Sequence, residues 1–178
     1  MKLMFISDIH GVSKNLEYIK NKFENLECDK LVVLGDLVSG PINNEFYNTN
    51  YVINFLNSFR DNIICLKGNC DLVSDYKNYD FFVHDDLFKL EVDGLIFYLN
   101  HGNIYNYENP KEIKNGILIY GHEHIPYIRK KQNLLCINPG SISLPRGYFK
   151  ESYLIYDNGK FMVYDIDDKL IDEYILKV

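Results

Sequence analysis

The chain has 178 residues and a formal net charge of −6, so its length fits one domain and its charge disfavours a sequence-independent grip on nucleic-acid backbone. With 47% hydrophobic and 25% charged residues, the composition excludes a disordered or fibrous chain. The four cysteines lack C-x-x-C spacing, which argues against a zinc ribbon or a secreted disulfide scaffold and favours reduced thiols in the cytoplasm.

The first third of the chain alternates short apolar runs with helical patterns. The predicted order is strand Lys2–Ser7, helix Ser13–Leu26, strand Leu31–Leu34, helix 43–60 and strand Ile63–Leu66. Ser13 is the candidate N-cap of the first helix. This alternation predicts a parallel sheet with helical crossovers. Asp8 and His10 interrupt the first apolar run before a signal-peptide core or a membrane-spanning helix could form.

From residue 87 onward the apolar residues follow the alternation of strands. The pair Asp93-Gly94 predicts a hairpin turn between strands within Leu87–Leu99. Further buried strands are predicted at Ile117–Tyr120 and Leu134–Ile137. The tail predicts an antiparallel meander of three strands, Ser152–Tyr156, Phe161–Ile166 and Ile171–Leu176.

Polar residues follow one predicted strand after another. They are Asp8, His10, Asp36, Asn69, His101, His122 and His124. Because strands of an open α/β sheet place their carboxyl ends at one edge, we expect these side chains to converge. Several imidazoles and two carboxylates taken out of water need a compensating charge, which divalent metal ions supply. Seven ligands without thiolate favour two ions about 3.5–4 Å apart, of the manganese, iron, zinc or nickel type.

Spacing gives a further expectation about which ligands share an ion. If the first strand continues to His10, Asp8 and His10 point to the same side and bind one ion. His122 and His124 follow the same rule only in extended backbone. In a loop they are free to serve different ions.

In this order the residues resemble the signatures D-x-H, G-D, G-N-[HC]-[DE], H-G and G-H-x-H of the calcineurin-like metallophosphoesterases. They read here Asp8-Ile9-His10, Gly35-Asp36, Gly68-Asn69-Cys70-Asp71, His101-Gly102 and Gly121-His122-Glu123-His124. The length and the later Asn138-Pro139-Gly140-Ser141 are most similar to the small, single-domain bacterial and archaeal phosphodiesterases of that superfamily. Five motifs in order are far more specific than one.

The resemblance implies an α/β fold, a four-layer αββα sandwich of two mixed β-sheets flanked by helices, as one domain over residues 1–178. It implies that Asp8, His10 and His124 hold one metal ion. It also implies that Asn69, His101 and His122 hold the second and that Asp36 bridges the two. The implied reaction is attack on a phosphodiester by a metal-bridging hydroxide, without a protein nucleophile. Manganese is the first expectation for the metal, with iron, zinc, nickel and magnesium as alternatives.

Two positions depart from the common pattern of the family. Cys70 stands where larger relatives have a histidine able to protonate the leaving group. The general acid is therefore left open among Cys70, Asp71 and a metal-bound water. For Cys70 a role as a small packing residue is slightly favoured over that of an acid. Asn103 follows His101-Gly102 where many small relatives have H-G-H, and we interpret it as facing the substrate or supporting the ligands.

Other polar residues are weaker candidates. Ser141 and Arg146 are candidates for the phosphate pocket, against the alternatives of a tight turn and a solvated loop charge. Tyr105 and Tyr107 follow His101 and are either substrate-stacking or ordinary loop residues. His84 precedes Asp85-Asp86 and ends no motif, so we exclude it as a ligand.

The leading functional hypothesis is a cytoplasmic, divalent-metal-dependent phosphodiesterase acting on a small diester, with membranes and large nucleic acids disfavoured as partners. A retromer subunit resembles the same fold and binds proteins with little or no hydrolysis, so a binding scaffold is the second hypothesis. The intact ligand set favours the enzyme. A phosphomonoesterase or nuclease with the same centre is the third, and the sequence leaves self-association open.

Overall fold

A computed structural model describes residues 1–40, 42–85 and 87–176, so Pro41, Asp86, Lys177 and Val178 lie outside the described residues. The helices are α1 (Leu16–Asn25), α2 (Thr49–Asn57) and a 3-10 helix (Val73–Asn78). The strands are β1 (Lys2–Ile6), β2 (Lys30–Val33), β3 (Ile63–Leu66), β4 (Val83–His84), β5 (Phe88–Val92), β6 (Leu95–Asn100), β7 (Asn115–Tyr120), β8 (Pro126–Lys131), β9 (Asn133–Pro139), β10 (Ser152–Asp157), β11 (Lys160–Asp165) and β12 (Leu170–Ile175).

The strands form two mixed sheets. The first has the order β12-β11-β10-β1-β2-β3-β4 and the second β5-β6-β7-β9-β8. In the first sheet β1, β2 and β3 pair in parallel, as predicted from the strand–helix alternation. The short β4, which the sequence pattern did not indicate, adds in parallel to β3. Strands β10 to β12 form the predicted antiparallel meander. In the second sheet β6, β7 and β9 are parallel, with β5 and β8 antiparallel at its edges.

The main core lies between the two sheets. Alternate residues of β1 point to opposite faces, so Leu3 and Phe5 pack inward against residues such as Phe97 on β6. Met4 and Ile6 point outward and pack with both helices. The predicted α/β fold of two mixed sheets with helices is therefore confirmed.

The outer face of the second sheet has its own smaller cluster. Buried Leu118, Tyr120, Tyr127 and Cys136 form it together with half-buried tyrosines of the segment 101–114. That segment covers the sheet without a regular helix, so both α-helices of the described chain lie on the first sheet. None of the described helices is long and apolar enough to cross a membrane.

Both predicted helices begin later than the sequence pattern indicates. Ser13 is not the N-cap of α1, because its hydroxyl donates to the carbonyl of Phe46 at 3.0 Å and the helix begins at Leu16. Residues 43–48 do not join α2, since Val12 and Tyr47 form a β-bridge there. The helix begins after Asn48, whose side chain accepts a hydrogen bond from the backbone of Tyr51 at 3.0 Å.

Strand β8 has no counterpart in the sequence prediction. Its residues include Pro126 and the cations Arg129, Lys130 and Lys131, so it lacks a clear apolar alternation. Pairing with β9 at the edge of the second sheet creates this strand.

Candidate metal centre

The seven polar residues predicted to converge lie together, just after the carboxyl ends of five strands. Asp8 and His10 follow β1, Asp36 follows β2 and Asn69 follows β3. In the second sheet, His101 follows β6 directly, whereas His122 and His124 follow β7. The two sheets meet here, since Nε2 of His101 lies 3.4 Å from Oδ2 of Asp36.

One group consists of Asp8, His10 and His124. Nε2 of His124 lies 3.3 Å from Nε2 of His10 and 3.3 Å from Oδ1 of Asp8. The distance from Nε2 of His10 to Oδ1 of Asp8 is 3.9 Å. Asp8 is fully buried, and its Oδ1 has no hydrogen-bond partner among the described residues.

A second group consists of Asn69, His101 and His122. Nε2 of His101 lies 2.9 Å from Oδ1 of Asn69 and 3.3 Å from Nδ1 of His122. His101 is buried, whereas Asn69 is exposed and His122 is half-buried. This side of the cluster therefore opens to solvent.

Asp36 lies between the two groups. Its Oδ2 is 3.6 Å from Nε2 of His10 and 3.4 Å from Nε2 of His101, while its Oδ1 accepts a hydrogen bond from the backbone N–H of Cys70 at 2.8 Å. Burial alone would raise the pKa of Asp36, but His101, the Cys70 N–H and His10 together lower it to about 2. The carboxyl group is therefore ionised at neutral pH.

Backbone carbonyls fix the orientation of three imidazoles. Nδ1 of His10 lies 2.8 Å from the backbone carbonyl oxygen of Ser39. Nδ1 of His101 lies 2.8 Å from the carbonyl oxygen of Leu34, and Nδ1 of His124 lies 2.6 Å from that of Leu144. Because a carbonyl only accepts, each Nδ1 carries its proton, and each Nε2 faces the carboxylates.

This arrangement fits bound cations. With both Nδ1 atoms protonated, the facing Nε2 atoms of His10 and His124 need a positive charge between them, and the unpartnered Oδ1 of Asp8 points to the same place. Burial lowers the pKa of His101, but Asp36 and Asp8 outweigh burial and raise it. The carboxylates thus favour positive charge at both groups.

The site residues have strained backbone. Left-handed φ angles occur at Asp8 (56°), His10 (52°), Asp36 (55°), His122 (67°) and His124 (60°). Such conformations are costly for residues other than glycine and concentrate at functional sites. The condition that the first strand continue to His10 is not met: β1 ends at Ile6, and turns bring Asp8 and His10 together instead. His122 and His124 lie in a loop and join different groups, as expected for loop backbone.

Two motif glycines allow the close approach of the carboxylates. A Cβ atom on Gly68 would lie 2.1 Å from Oδ1 of Asp36. A Cβ atom on Gly121 would lie 1.8 Å from the Ser7 hydroxyl and 2.7 Å from Oδ2 of Asp8. Any side chain at these positions would displace the acid beside it.

Asp71 joins two of the site loops. Its Oδ2 accepts hydrogen bonds from the backbone N–H groups of Asp36 at 2.9 Å and Gly68 at 2.8 Å, and its Oδ1 accepts one from Leu37 at 2.7 Å. These contacts indicate that Asp71 positions the site loops. They do not favour Asp71 as the general acid, which was one of the predicted candidates. Cys70 is half-buried, and its Sγ lies 3.2 Å from the donating Nδ2 of Asn69.

Ser141 supports the ligands rather than facing an open pocket. Its hydroxyl donates to the carbonyl of Asp8 at 2.8 Å and accepts from the backbone N–H of Leu144 at 2.8 Å. These bonds hold both Asp8 and the carbonyl that orients His124. The predicted contact between Ser141 and substrate therefore has no support in this geometry.

The other predicted candidates lie at varying distance from the centre. The backbone N–H of exposed Arg146 donates to the carbonyl of His124 at 3.0 Å, which places Arg146 at the rim. Asn103 is exposed in the loop after His101. Tyr105 and Tyr107 pack on the outer cluster of the second sheet. The ring of His84 packs against the rings of Phe82 and Phe88.

Sequence reasoning did not identify Glu123 as part of a network. Oε2 of Glu123, between the two loop histidines, accepts a hydrogen bond from the hydroxyl of Tyr127 at 2.7 Å. That hydroxyl also contacts Tyr120, which accepts from the backbone N–H of Tyr107 at 2.7 Å. Tyr120 on β7 and Tyr127 on β8 come together because both strands pair with β9. This arrangement has no signal in the sequence, since β8 itself was not predicted.

Comparison with known proteins agrees with these motifs. The sequence model of one protein family, the calcineurin-like phosphoesterase superfamily domain, matches residues 1–160 of this chain. Phosphodiesterase YfcE of Escherichia coli K12 is 34% identical over 175 residues, which cover 96% of this chain and 95% of the relative. Phosphodiesterase MJ0936 of Methanocaldococcus jannaschii is 30% identical over 151 residues, covering 79% and 83%.

Solved structures share the fold as well. The structure of YfcE, a phosphoesterase from E. coli, has a TM-score of 0.93 at 31% identity and covers 99% of this chain and 100% of that chain. Vps29 of Chaetomium thermophilum has a TM-score of 0.66 at 13% identity, covering 100% and 97%, a likeness in fold alone. The chain belongs to the calcineurin-like phosphoesterase superfamily.

Proposed function

We propose that the protein is a divalent-metal-dependent phosphodiesterase that holds two ions at the described cluster. Asp8, His10 and His124 would bind one ion, and Asn69, His101 and His122 the other, with Asp36 shared. Manganese is the metal we would test first, with iron, zinc, nickel and magnesium as alternatives, since imidazole, carboxylate and amide donors suit this series. The substrate would be a small phosphodiester.

The carrying observation is the direction of the imidazoles. Three rings donate Nδ1 protons to backbone carbonyls and turn Nε2 toward the carboxylates of Asp8 and Asp36. A hydrogen-bond network without a cation would leave Oδ1 of Asp8 unpartnered and buried. The phosphodiesterase relatives support the same proposal.

The chain's own groups act by binding and orientation. Divalent ions held there would lower the pKa of a water nucleophile and neutralise charge on the phosphoryl oxygens. The water adds to phosphorus, one P–O ester bond breaks, and a monoester and an alcohol leave. Asp71 and Ser141 keep the ligands in place through the backbone. Arg146 at the rim is the side chain that we assign to a phosphate oxygen of the substrate.

Hydrolysis of bis(p-nitrophenyl) phosphate tests this proposal. The purified chain should release p-nitrophenol with added Mn²⁺ and lose activity with EDTA. Asp36→Asn should reduce kcat by at least about 100-fold, because the shared charge between the two groups is lost. Asp61→Asn is the matched control, since Asp61 is exposed and precedes β3 at the strand end opposite the cluster.

Full activity in Asp36→Asn would contradict the assignment. Two tightly bound ions per chain without hydrolysis of any diester would favour the binding scaffold instead. A phosphomonoesterase is distinguished by p-nitrophenyl phosphate in the same assay. All four cysteines are free, which supports a cytoplasmic location for this enzyme.

A further inference from the structure

Cys70 brings sulfur to the shared side of the cluster. Its Sγ, a ring nitrogen of His10 and a carboxylate oxygen of Asp36 all lie within 4.8 Å of one another. The ligand set used for the two-ion proposal contains only nitrogen and oxygen. The position of Cys70 therefore offers a second, chemically different set that shares two members with the first.

The backbone holds the thiol at this place. The N–H of Cys70 donates to Oδ1 of Asp36 at 2.8 Å, and Asp36 in turn lies 3.6 Å from Nε2 of His10. The Nδ2 of Asn69 donates to Sγ at 3.2 Å, which helps to fix the position of the sulfur. Cys70 is half-buried, so an ion from solvent can reach it.

A sulfur–nitrogen–oxygen set selects thiophilic ions. Zinc binds thiolate at about 2.3 Å and imidazole at about 2.0–2.1 Å in a tetrahedral arrangement, so donor atoms on one ion lie roughly 3.5 Å apart. The three donor atoms around Cys70 lie within 4.8 Å of one another and would draw together by up to roughly 1 Å to hold one ion. Manganese and magnesium prefer oxygen and gain little from a thiolate.

We propose that Cys70, His10 and Asp36 form an alternative site for a thiophilic divalent ion of the zinc and cadmium class. As the sulfur–metal bond forms, the thiol proton passes to solvent. An ion bound this way occupies His10 and Asp36, which the two-ion arrangement also needs. Zinc would therefore compete with manganese, and this competition rests on the proposed function, whereas binding through sulfur does not.

A positioning role for Cys70 predicts different behaviour. If Sγ only accepts the hydrogen bond from Asn69, a serine hydroxyl at the same position would accept it as well. Cys70→Ser would then retain the metal properties of the original chain. The two roles are separated by a readout that only a sulfur–metal bond produces.

Cadmium is the probe for that bond. Chelator-treated full-length protein is titrated with Cd²⁺ while the ultraviolet thiolate-to-cadmium charge-transfer absorption and the bound cadmium are both measured. The original chain should gain the absorption in proportion to bound cadmium, and Cys70→Ser should lack it. Cys28→Ala is the control, because it removes a buried thiol outside the cluster and leaves the same number of thiols as Cys70→Ser. This variant should keep the absorption.

Three results would overturn the proposal. The first is cadmium bound by the original chain without the absorption, and the second is an unchanged absorption in Cys70→Ser. The third is that the original chain binds no cadmium. Circular dichroism and a second variant, Cys70→Ala, separate loss of sulfur from loss of the fold.

Inhibition by Zn²⁺ tests the competition. Loss of a residue that only supports a metal ligand weakens binding about 10–100-fold, so losing the thiolate ligand should weaken zinc inhibition of the Mn²⁺-supported reaction by at least about tenfold. Equal zinc inhibition in Cys70→Ser and the original chain contradicts the competition. If no diester is hydrolysed at all, the proposed function fails while the cadmium result still decides whether Cys70 binds metal.

Discussion

His10 and His124 turn their Nε2 atoms toward each other at 3.3 Å, although each ring gives its Nδ1 proton to a backbone carbonyl. If both rings are neutral, the lone pairs on the two Nε2 atoms point at each other and repel. A positive charge between them removes the repulsion, and Oδ1 of Asp8 at 3.3 Å from His124 adds attraction for it. The local geometry thus links the stability of this region to cation binding.

We predict that a divalent ion stabilises the folded chain. At a free Mn²⁺ concentration 100 times its dissociation constant, the free energy of unfolding should rise by about 2.7 kcal/mol. Thermal melts with increasing Mn²⁺, against EDTA, measure this gain. Asp36→Asn should lose most of the shift and Asp61→Asn should keep it, so a full shift in Asp36→Asn speaks against the shared carboxylate.

Asp71→Asn should destabilise the protein by about 2–4 kcal/mol, because a carboxylate that accepts three backbone hydrogen bonds is replaced by a group with one accepting oxygen. Urea denaturation measures the loss. Asp75→Asn is the nearby control, since the Asp75 carboxylate contacts only the exposed hydroxyl of Ser74 within the described part of the chain. Equal stability of Asp71→Asn and the original chain would remove the positioning role.

The nature of the leaving group should control the rate strongly, because a thiol at position 70 is a poor substitute for an imidazole that protonates the departing oxygen. Across diesters with increasingly basic leaving groups, kcat should fall steeply. Cys70→His should make the dependence shallower. Parallel slopes for the two proteins would mean that position 70 takes no part in leaving-group departure.

His84 should make stability depend on pH. Burial lowers its pKa below the ordinary value, and Asp85 opposes this only in part. Near pH 6 the unfolded chain therefore binds more protons than the folded chain, so stability falls as pH decreases below about 6.5 and is unaffected by this group above it.

Urea denaturation at pH 7.5 and 5.5, in the same chelator, checks the sign of this effect. His84→Gln should lose less stability between the two pH values than the original chain, because the titrating ring is gone while the other histidines remain. An equal or larger loss in the variant would refute the prediction.

The order of most strands along the chain, and their ends, could be predicted from the sequence. The reason is that each of these strands is an apolar run that stops at a polar residue or a turn. Lys2–Ser7 and Ile63–Leu66 are examples, with observed bounds of Lys2–Ile6 and Ile63–Leu66. The helix starts at Leu16 and Thr49 did not follow, since Ser13 and Tyr47 are held by partners distant in sequence. The extent of one domain over residues 1–178 stays a prediction.

The membership of the cluster was also visible in the sequence, whereas its geometry was not. Strand periodicity would place Asp8 and His10 on one side through extended backbone, but both have left-handed conformations. The carbonyls of Leu34, Ser39 and Leu144 that orient the rings have no sequence signature, because every residue carries one. Such partners become known only when the loops are placed.

The left-handed backbone at five candidate ligands lowers the stability of the folded chain, although these residues are needed for the proposed activity. Glycine adopts this conformation without steric cost, so a chain selected for folding alone would gain by replacing Asp8 or His122. Retention of carboxylate and imidazole at these positions therefore opposes the conformational preference of the polypeptide. Variants recovered in a screen for heat resistance should accumulate glycine at the positions where catalysis is lost.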